Sequence, residues 1–154
     1  MKELTYEQAL ARAAAMCSGA EHSTGEMEQK LRRWGVGEAD VYRILDYLVD
    51  EKYIDNLRYA RAYCLDKFRY NHWGRVKIQQ MLRMQGVESD AISYGLSQID
   101  EDEYLQMLDT AIAQKARSLT EEDAYARKAK IVRHLVSRGF EMGIIMRRLD
   151  FSED

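Results

Sequence analysis

One pattern of apolar residues and glycines occurs three times along the chain. The three copies read MEQKLRRWGVGEADVYRIL, IQQMLRMQGVESDAISYGL and IVRHLVSRGFEMGIIMRRL. The second copy follows the first by 51 residues, and the third follows the second by 53. Six positions stay in phase, namely Met27/Ile78/Ile131, Leu31/Leu82/Leu135, Gly35/Gly86/Gly139, Val36/Val87/Phe140, Val41/Ile92/Ile145 and Leu45/Leu96/Leu149. Such a chain is expected to fold as a stack of similar units, because each unit buries its apolar face on the next.

Each copy predicts a pair of helices around its glycine. Apolar residues are spaced i, i+4 on both sides of the glycine, as on one face of an amphipathic helix. The glycine suits the left-handed position that follows a helix C-terminus. A further helix precedes each pair, at about residues 6–17, 56–70 and 101–117. The chain is therefore predicted to contain nine helices in three groups of three.

Polar residues mark the helix starts. TYEQ and STGE are capping boxes, in which Thr5 and Ser23 accept from the amide three residues on while Gln8 and Glu26 reach back. Further N-cap candidates are Asp55, Ser89, Asp100 and Thr120.

The predicted fold is all-α, with three tandem three-helix repeats at residues 1–54, 55–99 and 100–154 that form an elongated, curved body. One repeat alone is too small to bury a good core. The residues expected to serve only packing are Met27, Leu31, Leu45, Leu48, Ile78, Leu82 and Ile131.

Composition excludes several classes of protein. The 154 residues include no proline, which favours long helices over a β-sandwich or barrel. No run of about 18 apolar residues is present, so no membrane span is expected. The two cysteines, Cys17 and Cys64, lie in helical patterns, and a disulfide framework is not expected. A cytoplasmic location and a monomer are predicted.

The sequence contains no pattern that indicates catalysis. His22, His72 and His134 lie in different repeats and lack metal-ligand spacing. No glycine-rich phosphate loop is present, and the acidic run at 100–103 suits a helix start. No catalytic residue, metal site or cofactor is predicted, and the protein is not expected to be an enzyme.

Charge is distributed in blocks although the net charge is only −3. Residues 58–83 carry seven bases and one acid, 88–123 carry ten acids and two bases, and 127–148 carry seven bases and one acid. These blocks indicate distinct charged faces or, less specifically, ordinary solvated helix surfaces.

The first basic block also contains aromatic residues. Tyr63, Tyr70 and Trp73 could stack on single-stranded bases, while for Tyr59 and Trp73 completion of the core is the favoured interpretation. The predicted contacts to a nucleoprotein surface are the seven bases, Arg58, Arg61, Lys67, Arg69, Arg75, Lys77 and Arg83.

The same stretch resembles a known family. YIDNLRYARAY followed by WGRVKIQQMLRMQGV is similar to the middle repeat of the RecX regulators of bacterial RecA recombinase. The first repeat, with EMEQKL and WGV, also resembles the family, whereas the third matches in helix periodicity. In the family, a basic residue and a glycine often stand where Asn71 and His72 precede Trp73 here.

The resemblance implies a regulator, mainly an inhibitor, of RecA in DNA repair, homologous recombination and the SOS response. Proteins like this lie in the groove of the RecA–DNA filament and affect ATP hydrolysis, strand exchange and filament stability. The partner implied is the RecA filament, with an additional, weak contact to single- or double-stranded DNA.

Two alternatives remain open from the residues alone. One is a helical-repeat adaptor that binds a protein and no nucleic acid. The other is a sequence-specific DNA binder, since two helices around a glycine turn can mimic a helix-turn-helix. The recurrence of that pattern at core positions favours packing over base reading.

Overall fold

The computed structural model describes residues 4–120 and 123–152, and all regular structure within them is helical. The nine helices are α1 (Tyr6–Gly19), α2 (Thr24–Arg33), α3 (Glu38–Asp50), α4 (Asn56–Arg69), α5 (Arg75–Met84), α6 (Ser89–Ser97), α7 (Glu101–Ser118), α8 (Ala124–Ser137) and α9 (Met142–Ser152). The prediction of an all-α chain with nine helices in three groups is confirmed.

Most of the predicted helix starts are confirmed. Thr5 and Gln8 form the full capping box of α1, with backbone–side chain distances of 3.2 and 3.0 Å. Asp55 accepts from the amides of Leu57 and Arg58, and Asp100 caps α7 through the Glu103 amide at 2.9 Å.

Three capping predictions need correction. Ser89 is the first residue of α6 and does not precede the helix. The N-cap of α8 is Asp123, whose carboxylate accepts from the Ala126 amide, so Thr120 lies outside the helix start. Ser23 caps α2 as expected, but the Glu26 carboxylate binds His22 and Tyr59. The predicted residue types were right, because Asp and Ser both cap helices in the structure, but the residue that caps α8 lies three positions after the predicted one.

The three repeated glycines end equivalent helices in the same way. Gly35, Gly86 and Gly139 have φ values of 80°, 77° and 97°, in the left-handed region that suits glycine. After α2, the amide of Gly35 donates to the Arg32 carbonyl at 3.0 Å and that of Val36 to the Leu31 carbonyl at 3.1 Å. The same two hydrogen bonds recur after α5 and α8, so each helix ends in a Schellman motif.

The described chain divides into two compact units, each drawn from two segments. Unit 1 comprises residues 1–63 and 82–95, and unit 2 comprises residues 64–81 and 96–154. Each unit therefore includes part of the middle repeat, and the predicted repeat boundaries after residues 54 and 99 stay a prediction.

Unit 1 is built on the first three helices. α1, α2 and α3 pack on one another around an apolar cluster whose buried members are Ala9, Ala13, Met27, Leu31, Val41, Ile44, Leu45, Leu48 and Ile54. The predicted core positions Met27, Leu31, Leu45 and Leu48 are all in this cluster.

Unit 2 is built on the last three helices. α7, α8 and α9 pack on one another, and an aromatic contact series joins Phe68, Tyr104 and Phe140 with ring-centroid distances of 5.6 and 5.4 Å. The remaining predicted core positions are buried as well: Ile78 and Ile131 in this unit, and Leu82 in unit 1. Among the helices of the described ranges, none is both long and apolar enough to cross a membrane.

Candidate functional site

The seven predicted contact bases are divided between the two units. Unit 1 contains Arg58, Arg61 and Arg83, and unit 2 contains Lys67, Arg69, Arg75 and Lys77. All seven lie on α4 or α5, the two helices that flank the Trp-Gly segment. Their environments differ, and the difference separates bases with structural roles from bases that face solvent.

Trp73 lies beside two lysines in unit 2. Lys67 Nζ is 5.0 Å and Lys77 Nζ is 4.4 Å from the ring centroid. The Trp73 amide donates to the Lys67 carbonyl at 3.1 Å, which fixes the chain as it leaves α4. The indole is half-buried, so it does not belong to the core as the favoured interpretation had it. We call Lys67, Trp73 and Lys77 the tryptophan–lysine cluster; it places two positive charges on one partly exposed aromatic ring.

Arg75 is held inside unit 2 by three groups. Its guanidinium is 2.9 Å from a carboxylate oxygen of both Glu101 and Glu141, and it lies 3.9 Å from the Tyr104 ring centroid. The side chain is only 23% exposed. Two carboxylates neutralise this charge within the protein, so Arg75 is suited to holding helix ends together rather than to binding phosphate.

A close backbone approach explains the glycine after Trp73. The Gly74 amide donates to the Arg138 carbonyl and the Val76 amide to the Gly139 carbonyl, both at 2.9 Å. A Cβ atom on Gly74 would lie 2.3 Å from the carbonyl carbon and oxygen of Gly139. The start of α5 therefore packs directly against the Schellman turn that follows α8, and only glycine fits there.

Tyr104 also contributes to the junction, the contact between the start of α5 and the turn that follows α8. Its side chain is fully buried, and its hydroxyl accepts from the Arg75 amide at 3.0 Å and donates to the Glu141 carboxylate. Burial, and after it the bond to Glu141, raises the pKa of this phenol above its ordinary value.

Unit 1 contains a similar junction at the start of α2. The Tyr59 hydroxyl donates to the Glu26 carboxylate and contacts the side-chain amide of Gln85, the residue before Gly86. A Cβ on Gly25 would lie 2.3 Å from the Gln85 carbonyl oxygen. Burial is again the main cause that raises the pKa of this tyrosine, followed by the Glu26 bond. Tyr59 is 6% exposed, which confirms its place in the core.

Sequence reasoning had not identified Tyr104 and Glu141. Tyr59 and Tyr104 both occupy the fourth position of the first helix in their repeats, but α4 and α7 begin 45 residues apart. The repeat offset of 53 residues therefore does not align them. An alignment of the helix starts, rather than of the glycine motifs, would have shown that Tyr59 and Tyr104 are equivalent.

The other predicted bases are exposed. Arg69 pairs with Glu103 at 3.2 Å, and Arg58 pairs with Glu21 at 2.8 Å while also donating to the Lys52 carbonyl. Arg61 and Arg83 are exposed on α4 and α5. Ion pairs of this kind at exposed positions stabilise a fold by about 0–1 kcal/mol, so they leave the arginines available to a stronger partner.

Metal ligation has no support in the described ranges. Residues 4–120 and 123–152 contain no group of three or more His, Cys, Asp or Glu side chains that could hold a metal ion. Cys64 is buried, which raises the pKa of its thiol to about 12, so the thiolate needed for ligation or nucleophilic attack is disfavoured.

Comparison with known proteins identifies the family. The RecX models for the first, second and third three-helix domains match residues 9–48, 55–96 and 101–149 in that order. The regulatory protein RecX of Prosthecochloris aestuarii is 30% identical over 150 residues, covering 97% of both chains. That of Leuconostoc mesenteroides subsp. mesenteroides is 27% identical over 92% of this chain, which spans only 55% of that relative.

A solved structure agrees with the fold. The crystal structure of RecX from Lactobacillus salivarius superposes with a TM-score of 0.85 at 20% identity, over 94% of each chain. At that identity the similarity concerns the fold alone. Three domain models in their proper order, together covering most of the sequence, show that this chain belongs to the RecX family of regulatory proteins.

Proposed function

We propose that this protein regulates RecA recombinase by binding the RecA–DNA filament, mainly as an inhibitor, and that it does so without catalysis of its own. The match of all three RecX domain models, in order along one chain, is the observation that carries the proposal. The relatives named above are regulatory proteins, which supports a binding role.

The mechanism follows from linkage between binding and filament state. A protein that binds one state of a polymer more tightly shifts the polymer toward that state, by an amount set only by the difference in affinity. Binding in the filament groove would oppose the changes that accompany ATP hydrolysis and strand exchange. Slower hydrolysis, inhibited exchange and filament loss are then consequences of one binding event.

We propose all seven bases of α4 and α5 as the filament-contacting set and rank them by environment. The tryptophan–lysine cluster ranks first, because its two cations lie together on a partly exposed ring. Arg58, Arg61, Arg69 and Arg83 are exposed and follow it, and exposed ion pairs such as Arg58–Glu21 and Arg69–Glu103 can be exchanged for contacts with the filament. Arg75 ranks last because its guanidinium is only 23% exposed and lies between two carboxylates.

The direct test is the ATPase activity of RecA on single-stranded DNA, measured with increasing amounts of this protein. We expect the hydrolysis rate to fall in proportion to the protein bound to the filament. An unchanged rate, together with no binding to assembled filaments by sedimentation, would contradict the proposal. Binding to an unrelated protein partner would then be the better interpretation.

A charge variant tests the ranked contacts. We expect Lys67→Gln/Lys77→Gln to weaken inhibition of the RecA ATPase at least tenfold while thermal stability changes little. The matched control is Lys128→Gln/Lys130→Gln on α8, which removes the same charge elsewhere in unit 2 and should inhibit normally. Equal inhibition by the two variants would remove the cluster from the mechanism.

The salt dependence of filament binding identifies the group that the lysines contact. Removing one lysine–phosphate contact should lower the slope of log affinity against log salt by about 0.7–0.9. Contacts with carboxylates of RecA would weaken binding with a smaller change in slope. The measurement needs only the cluster variant, its control and a salt titration.

A further inference from the structure

Unit 2 contains a pocket that the proposed regulatory role does not use. It has a volume of about 360 Å³ and lies between the C-terminal halves of α7 and α8, beside the segment that follows α4. Its polar lining includes Lys115, Arg138, His72 and His134, and no aspartate or glutamate is among the described residues that line it. Two permanent positive charges thus face one cavity whose described wall has no carboxylate to neutralise them.

The floor of the pocket is apolar. Met107, Ala111, Leu135 and Phe140 line it, and Leu135 and Phe140 are almost fully buried. Pockets of roughly 300–1,000 Å³ with an apolar lining and a few convergent polar groups are typical of small-molecule sites. The cavity is therefore large enough for an anion with an organic body, and not only for a single ion.

The two positive charges that line the pocket favour an anion with a charge of about −2. Lys115 and Arg138 together supply two positive charges, and a guanidinium offers five N–H donors, of which the bond to the Asn71 carbonyl at 2.7 Å uses one. A phosphate monoester carries about −1.5 to −2 at neutral pH and presents three acceptor oxygens, whereas a carboxylate or a phosphodiester carries a single charge.

The pKa of His134, on α8, reflects its burial and the positive charge around the pocket. Burial, and after it the charges of Lys115 and Arg138, lowers the pKa of His134. Its imidazole therefore lies in a positive potential that a bound anion would relieve.

We propose that this pocket binds a nucleotide-type phosphate monoester, with the phosphate at Lys115 and Arg138 and the sugar or base on the apolar floor. The phosphate could belong to a free mononucleotide or to the 5′ end of a DNA strand. The proposal is independent of RecA binding, since none of the residues that line the pocket belongs to the filament-contacting set.

The test is a titration followed through the His72 and His134 imidazole signals by NMR. We expect AMP to shift both signals and adenosine, at the same concentration, to shift neither. A 5′-phosphorylated oligonucleotide compared with its 5′-hydroxyl counterpart separates the two sources of phosphate: a preference for the phosphorylated strand indicates a strand end, and AMP binding without that preference indicates a free nucleotide. Equal shifts with AMP and adenosine would overturn the proposal.

Variants locate the binding site. Lys115→Gln should weaken AMP binding about tenfold, whereas Arg117→Gln, on the same helix but outside the pocket, should bind AMP as the unaltered protein does. His134→Gln offers a second variant in the pocket should Lys115→Gln fail to fold. Equal AMP affinity in the pocket variant and in the Arg117→Gln control would overturn the proposal.

Discussion

At the scale of single residues, Gly74 shows how one missing methyl group allows two segments to meet. The chain at Gly74 and Val76 donates two backbone hydrogen bonds to the turn after α8. Those bonds need a separation that any side chain at position 74 would prevent, because its Cβ would overlap the Gly139 backbone. The Trp-Gly break in the sequence is therefore a packing requirement as well as a helix start.

We expect Gly74→Ala to destabilise the protein by about 3 kcal/mol, through overpacking and strain on the two backbone hydrogen bonds. Gly143→Ala in α9 is the control, since a Cβ there has open space around it in the described chain and alanine favours a helix. Chemical unfolding monitored by circular dichroism measures both. A loss for Gly74→Ala no larger than for the control would show that the junction tolerates a methyl group.

Lys52 is the opposite case, because a residue with a side chain adopts a backbone conformation that favours glycine. Its φ is 62°, in the left-handed region that costs most non-glycine residues about 1 kcal/mol. Lys52→Gly should therefore raise the free energy of unfolding by about 0.5–1 kcal/mol. Lys52→Ala removes the same charge but keeps the Cβ, and should give no gain; an equal gain in both variants would attribute the effect to the charge.

At the scale of the helical element, α5 contains a fully buried residue and a largely exposed residue only two positions apart. Leu82 is 0% exposed, whereas Met84 is 79% exposed. Leu82→Ala should cost about 2–5 kcal/mol through lost burial and the cavity it leaves. Met84→Ala is the matched control and should change the unfolding free energy by less than about 0.5 kcal/mol. A loss for Leu82→Ala as small as that would show that the repeat register is wrong.

The two buried tyrosines, Tyr59 and Tyr104, make the free energy of unfolding depend on pH. Their pKa values are raised in the folded protein, chiefly by burial, so folding favours the neutral phenols. Their contribution to stability is fully present below pH 10, the ordinary tyrosine pKa, and is lost as the pH rises above it.

We expect the free energy of unfolding to fall more steeply above pH 10 in the unaltered protein than in Tyr104→Phe or Tyr59→Phe. Tyr70→Phe, which alters a tyrosine that is 78% exposed, should follow the unaltered protein. Unfolding measured at several pH values between 8 and 11 makes the comparison. Identical slopes for all four proteins would show that the buried phenols are not linked to stability.

At the scale of the whole molecule, the charge distribution opposes strong nonspecific attraction to bare DNA. The net charge is −3, and its basic and acidic blocks alternate along the chain. Nonspecific affinity for DNA depends on how many phosphates are neutralised, and the acidic block opposes that attraction.

We therefore expect binding to a fluorescent oligonucleotide alone to be no tighter than about 1 μM at physiological salt, and to weaken steeply as salt rises. Fluorescence anisotropy measures this, and the same oligonucleotide coated with RecA provides the comparison. Nanomolar affinity for the bare oligonucleotide would show that the protein binds DNA directly, without the filament.

The helices and their ends could be predicted from the sequence because their causes are local. Apolar spacing placed the buried face of each helix, and the three repeated glycines predicted left-handed helix ends that the structure confirms. The caps Asp55 and Asp100 were predicted correctly, since each accepts from amides of its own helix, whereas Asp123 does the same for α8 and was missed in favour of Thr120.

What the sequence alone could not decide depends on pairs of residues far apart in the chain. Glu26 binds Tyr59, and Arg75 lies between Glu101 and Glu141. Residues of the same charged type therefore differ in burial and in partner, and the sequence does not show this difference. The sequence by itself determined the all-α fold, the threefold repeat and the family, since these depend on spacing and order. Only the tertiary structure decided which bases are neutralised internally and which stay exposed, because Coulomb energy and burial depend on distance in space.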